Sequence, residues 1–268
     1  MRIKSWIALT RVSIMDFMQF RLSAFVMLIG NIIYLIVIYN LWKAIYASVD
    51  NATINGMSFN DTMIYLVLAS AQFTFMEAYL VWMMSRSIQS GKIVLDLLKP
   101  VPYSQYLLFG LEGGNICAFV VTFIPTFIIV EIITKGYIHL GINILFYLVA
   151  ATLGMLINFA IDFFVGTICL YTQSTWGINI MKEVVVLFLS GATVPLTFFP
   201  ETLRKIVMFF PFHAIYNTPL TFLTKGPELS LAESFIMVGE QAAWVIVLIL
   251  IGKIFWKLSE RVITVNGG

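Results

Sequence analysis

The sequence predicts an all-α integral membrane protein, and three observations carry this. Of 268 residues, 60% are apolar and only 11% charged, against about 45–50% and about 25% in an average soluble domain. Six stretches stay apolar over the ~20 residues that a helix needs to cross a bilayer. Lys and Arg are concentrated in alternate connecting segments. So few charges cannot cover the surface of a soluble protein of this size, which excludes a soluble enzyme and a nucleic-acid-binding domain. The dominance of aliphatic and aromatic residues excludes a disordered chain.

Residues 1–21 come first. Ile3, Trp6, Ile7, Ile14, Phe17 and Met18 recur at helical spacing, while Lys4, Arg11, Asp16 and Gln19 fall largely elsewhere. This predicts an amphipathic helix lying in the inner interface, either as a basic anchor or as an elbow that steadies a moving bundle. The six spans are expected at about 22–46, 63–84, 107–133, 142–171, 177–194 and 234–255. Basic residues precede the first span, fill the segment between the second and third, sit near the start of the fifth (Lys182) and follow the sixth. These regions share one side, so both termini are expected in the cytoplasm. A cleavable signal peptide is not expected, because the first apolar segment begins late and lacks an Ala-x-Ala-like end. Both cysteines, Cys117 and Cys169, fall in apolar runs and read as small hydrophobes.

Two connecting segments are informative. In 86–103, Ile88, Val94, Leu95 and Leu98 give an apolar side, with Arg86, Lys92, Asp96 and Lys99 on the rest. Pro100 and Pro102 stop the helix. Such a short helix can press on a soluble partner or simply lie on headgroups. Gly91-Lys92 is not a phosphate-binding loop, since no Ser or Thr follows the lysine. In 198–223 the prolines Pro200, Pro211 and Pro219 interrupt an apolar half-span, which is expected to dip into the outer leaflet and return. Pro200 is placed to open a helix, with Glu201 in its first turn.

Ionisable groups at membrane depth cost roughly 2.5–3.5 kcal/mol each on insertion scales, so each needs a reason. Asp162 sits well inside the fourth span with Asn158 one turn back, Glu77 in the second, and Glu112 one turn into the third beside Asn115. They either line a polar path or hydrogen-bond between helices. No His-Glu-x-x-His pattern is present, which disfavours an intramembrane metalloenzyme and leaves no metal site in view. No internal repeat supports a secondary transporter.

Six spans, an amphipathic N-terminal helix, and a loop carrying Gly91, Leu97, Leu98, Pro100 and Tyr103 after the second span resemble the permeases of type-2 ABC exporters, the ABC-2 family. So does the run Ser190-Gly191, Pro195-Leu196, Phe198-Phe199-Pro200 and Phe210-Pro211-Phe212 after the fifth. The resemblance covers nearly the whole chain, as one permease domain over 1–268, and is closest to small permeases of bacterial efflux or peptide-immunity systems. It implies a bacterial plasma-membrane protein that exports a hydrophobic or amphipathic cargo: a peptide, lipid or drug. It implies that Ile88, Gly91, Leu95, Asp96, Leu98, Lys99, Pro100 and Tyr103 couple to an ATPase. It also implies that Pro195, Phe198, Phe199, Pro200, Phe210 and Pro211 form an outer gate. The partners implied are a pair of ATP-binding subunits and a second permease, identical or related, within the lipid bilayer; no nucleic acid is expected. The chain itself is expected to hold no cofactor and no catalytic site, with ATP and Mg on the separate ATPase. The alternatives are a secondary transporter and a non-transporting membrane sensor or immunity protein.

Overall fold

The computed structural model describes residues 2–49, 53–76, 79–134, 138, 141–172 and 175–262. The chain is almost wholly helical. In order come α1 (Arg2–Gln19), α2 (Arg21–Ala47), α3 (Phe59–Met76), α4 (Leu80–Gln89), α5 (Ile93–Leu97), α6 (Tyr103–Thr134), α7 (Ile142–Ile168), α8 (Trp176–Leu189), α9 (Glu201–Met208), α10 (His213–Thr224) and α11 (Leu231–Ser259). A two-residue antiparallel pair, Thr53–Ile54 with Met57–Ser58, joins α2 to α3 through an Asn55-Gly56 turn with positive φ at both residues. Ser58 and Asp61 cap each other at the start of α3, and Ser230 and Glu233 form a full capping box at the start of α11.

Among the described residues, five elements are long and apolar enough to cross a membrane: Phe25–Ala47, Phe59–Gln89, Tyr103–Thr134, Ile142–Ile168 and Leu231–Val262. A sixth arises if α9 and α10, bent by 104°, count as one broken span. The predicted fifth span differs. Helix α8 has only 14 residues, about 21 Å at 1.5 Å per residue, short of the ~30 Å hydrocarbon core. It stops at Ser190-Gly191, where Gly191 has φ +84°, and Asn217 N donates to Ser190 O at 3.0 Å. Tertiary contact with α10 therefore ends the helix early, though the apolar run continues to Val194.

Helices α3 and α7 form the buried centre; α2 and α11 are largely exposed. Aromatic rings from α3, α6 and α7 pack in a row: Phe75 against Phe119 at 4.9 Å, Phe119 against Phe123 at 4.7 Å, and Phe123 against Tyr147 at 5.2 Å. Helix α1 is docked on α6 rather than lying apart. Trp6 stacks on Phe109 at 5.1 Å, and Ser13 Oγ donates to Leu111 O and accepts from Gly114 N. A side chain at Gly113 would collide with the Thr10 carbonyl. The apolar residues of α1 thus split: Trp6 meets α6, while Ile3, Ile7 and Met18 remain exposed.

Candidate functional site

The segment 86–103 is two short helices, not one. Gly91 adopts φ +72°, the left-handed region that suits glycine, and so separates α4 from α5. The break divides the predicted apolar side. Ile93 is buried in a cluster with Leu80, Met84, Tyr103, Leu107, Phe159 and Phe163, and Ile88 and Val94 pack at its edge. Leu95 and Leu98, by contrast, are 64% and 76% exposed.

Charge holds this pose. Asp96 is buried, accepting from Ser87 Oγ at 3.0 Å and from Lys99 Nζ at 2.7 Å. Lys99 also lies over the Tyr106 ring at 3.7 Å. Burial acts to lower the Lys99 pKa, but the hydrogen bonds with Asp96 and Tyr106 outweigh it and leave the group above its usual range. Tyr103 is buried and stacks on Trp256 at 4.9 Å. Of the eight residues read for coupling, Gly91, Leu95, Leu98, Lys99 and Pro100 therefore face outward, whereas Asp96 and Tyr103 face the bundle and Ile88 is half-buried. Arg86 covers the Trp82 ring at 3.7 Å and remains exposed.

At the other end, Pro195, Phe199 and Pro211 are buried, Phe198 is half-buried against Trp42 at 4.8 Å, and Pro200 and Phe210 are exposed. Pro200 precedes α9, and Pro211 sits in the bend before α10. Pro219 does not break the chain; it lies inside α10. It lacks the N–H that would bond Ile215 O, and Gln72 of α3 supplies the missing donor, with Nε2 3.1 Å from that oxygen. Gln241 of α11 donates to Ala214 O at 2.7 Å and Ala150 O at 3.1 Å, and Asn143 of α7 donates to Phe222 O at 3.1 Å. Three buried amides thus clamp α10 between spans, as irregular backbone at membrane depth requires. Gly154 completes the seat: a Cβ there would lie 2.8 Å from Ile215 O.

Asp162 is fully buried, and Lys182 Nζ of α8 lies 2.6 Å from its Oδ1. Asn158 donates to Met76 O at 2.7 Å and lies 3.5 Å from Asp162 Oδ2. Both polar residues therefore tie helices together, beside a small cavity of about 90 Å³. Lys182, read from the sequence as an inner-face charge, is the partner the sequence analysis missed. A signal existed: Asp162 lies six residues before the end of α7, and Lys182 six residues after the start of α8, so the two share one depth. Glu112 accepts from Asn115 Nδ2 at 3.2 Å within its own helix. Glu77 lies outside the described residues.

Residues 8–267 match the family described as ABC-2 family transporter protein. The chain belongs to the ABC-2 transporter family. It matches no curated protein. In this ABC-2 protein the apolar helices and the family membership describe a membrane-embedded permease. A cavity of about 430 Å³ opens between α2, α3 and α8, lined by Tyr34, Ala69, Phe73 and Leu187 with Asn31, Ser70, Thr74 and Thr193 as polar spots. Among the described residues, no charged side chain lines it. Asn31 thus faces a cavity, while Asn40 bonds its own helix at Ile36 O.

Proposed function

We propose that this permease is the membrane subunit of an ATP-driven exporter, moving a hydrophobic or amphipathic cargo outward. ATP-binding subunits are the general partners of ABC-2 permeases; here a separate pair would hold ATP and Mg and carry out hydrolysis. Two permease chains, identical or related, would enclose the path. Both termini would face the cytoplasm in a bacterial plasma membrane. Helix α8, too short to span alone, would cross together with the segment that follows it to Phe199, with α9 and α10 as the re-entrant outer gate.

The observation that carries this reading is the pair Leu95 and Leu98. Leu95 stands exposed on a five-residue helix fixed by Asp96, and Leu98, also exposed, caps that helix. An apolar face of this kind can seat in a hydrophobic groove of a partner. Pressure on these leucines would reach Ile93 and its cluster, which includes Phe159 and Phe163 of α7. Helix α7 also carries Gly154 against α10. One rigid element therefore touches both the loop and the outer bend, a physical route for alternating access. The largely apolar described lining of the cavity between α2, α3 and α8, with Asn31, Ser70, Thr74 and Thr193 as polar spots, suits an amphipathic cargo.

The test is co-purification from native membranes, read as vanadate-sensitive ATP hydrolysis in the eluate. Leu95→Asp with Leu98→Asp should abolish the co-purifying activity. Full activity with both aspartates in place would defeat the proposal.

A further inference from the structure

Two cavities meet beneath the coupling segment. One, of about 220 Å³, lies between α1, α6, α7 and α11, with walls that include Leu108, Leu156, Phe159 and Leu248. The other, of about 480 Å³, lies between residues 97–104 and α11, bordered by Lys99, Trp256 and Glu260. Ser104, Phe163 and Lys253 line both, so the two adjoin at these residues. Together they fall in the size range of ligand sites, ~300–1,000 Å³. The result is a cleft with an apolar floor and a polar mouth.

The polar groups specify the occupant. Lys253 is exposed at the junction and has no ion-pair partner among the described residues. Lys99, at the mouth, is already engaged by Asp96, and Glu260 lies on the same rim. Lys253 is therefore the cation that sets the charge preference. Ser104, which lines both cavities together with Lys253, supplies a hydroxyl at the junction.

We infer that this cleft binds one anionic phospholipid, such as phosphatidylglycerol. An acyl chain fills the apolar cavity. A phosphate at the junction meets Lys253 and the Ser104 hydroxyl. Basic pockets between spans are a known form of headgroup recognition. Phosphatidylcholine carries no net negative charge, so it is the discriminating comparison. The lipid would sit against residues 97–104, which join the coupling helix to α6.

Native mass spectrometry of the purified permease in mild detergent tests this without any partner protein, so the outcome is separate from the ATPase reading. Phosphatidylglycerol should be retained as one adduct per chain, at least about tenfold over phosphatidylcholine, equivalent to about 1.4 kcal/mol. Lys253→Gln should remove most of that preference. Lys257→Gln, exposed and outside both cavities, should leave it intact. The inference fails if Lys253→Gln retains the lipid as the parent does, if Lys257→Gln loses it equally, or if millimolar inorganic phosphate displaces it, which would mark a free-phosphate site.

Discussion

Removing Lys182 alone should destabilise the permease more than removing both members of its pair. Lys182 Nζ lies 2.6 Å from Asp162 Oδ1, with the lysine 10% and the aspartate 0% exposed. At that separation and an effective dielectric constant of about 20, the attraction is roughly 6 kcal/mol. Desolvating the two ions costs several kcal/mol each, so the pair as a whole is worth little net. Lys182→Met leaves Asp162 buried and uncompensated, which costs about 3–5 kcal/mol. For a chain of this size that is a fall of roughly 6–20 °C in Tm, at about 2–4 °C per kcal/mol. Asp162→Leu with Lys182→Met removes both charges and should return Tm to within a few degrees of the parent. Tryptophan fluorescence during thermal unfolding in detergent reads four proteins: the parent, Lys182→Met, Asp162→Leu and the double variant. If Lys182→Met were as stable as the parent, or if the double variant lost the sum of the two single losses, the assignment of a mutually compensated buried pair would be wrong.

Gln72→Leu should cost about 1–3 kcal/mol, since Ile215 O then has neither the proline N–H nor the amide; the same Tm assay checks it, and an unchanged Tm would show another donor in place. Gly154→Ala should also lower Tm, because its Cβ would lie 2.8 Å from a carbonyl oxygen, whereas Gly110→Ala meets nothing within 4 Å and should be neutral or gain up to about 1 kcal/mol in helix propensity. The Asp96–Lys99 contact should be insensitive to pH between 7 and 9. The Lys99 pKa is raised above the ordinary lysine value of 10.5, so its stabilisation is fully present below that value and is lost only as pH rises through the raised one. Co-purified ATPase activity that falls when the pH of the wash rises from 7 to 9 would contradict that contact.

The spans were legible because hydropathy over ~20 residues is a local property, set by the need to satisfy every backbone group without water. Helices α2, α6, α7 and α11 lie close to the predicted 22–46, 107–133, 142–171 and 234–255. The short α8 was not legible, because its stop at Ser190-Gly191 depends on a contact with Asn217, 27 residues later. The 86–103 segment was half legible. Its composition announced an amphipathic helix, but the φ of Gly91 and the burial of Asp96 turned Leu95 and Leu98 outward and Ile93 inward.

Sequence alone determined that this chain lives in a bilayer, which segments are apolar enough to span it, and that the resemblance is to ABC-2 permeases. Those conclusions rest on composition, period and motif, each readable within a short window. The tertiary structure alone decided which polar residues serve one another: Asp162 with Lys182, Gln72 with the carbonyl freed by Pro219, Asp96 with Ser87 and Lys99. A buried polar group must find a partner wherever the fold brings one, and the pairing of Gln72 with Ile215 spans 143 positions of chain. Periodicity within one helix carries no information about such a partner; only the packing of α3 against α10 supplies it.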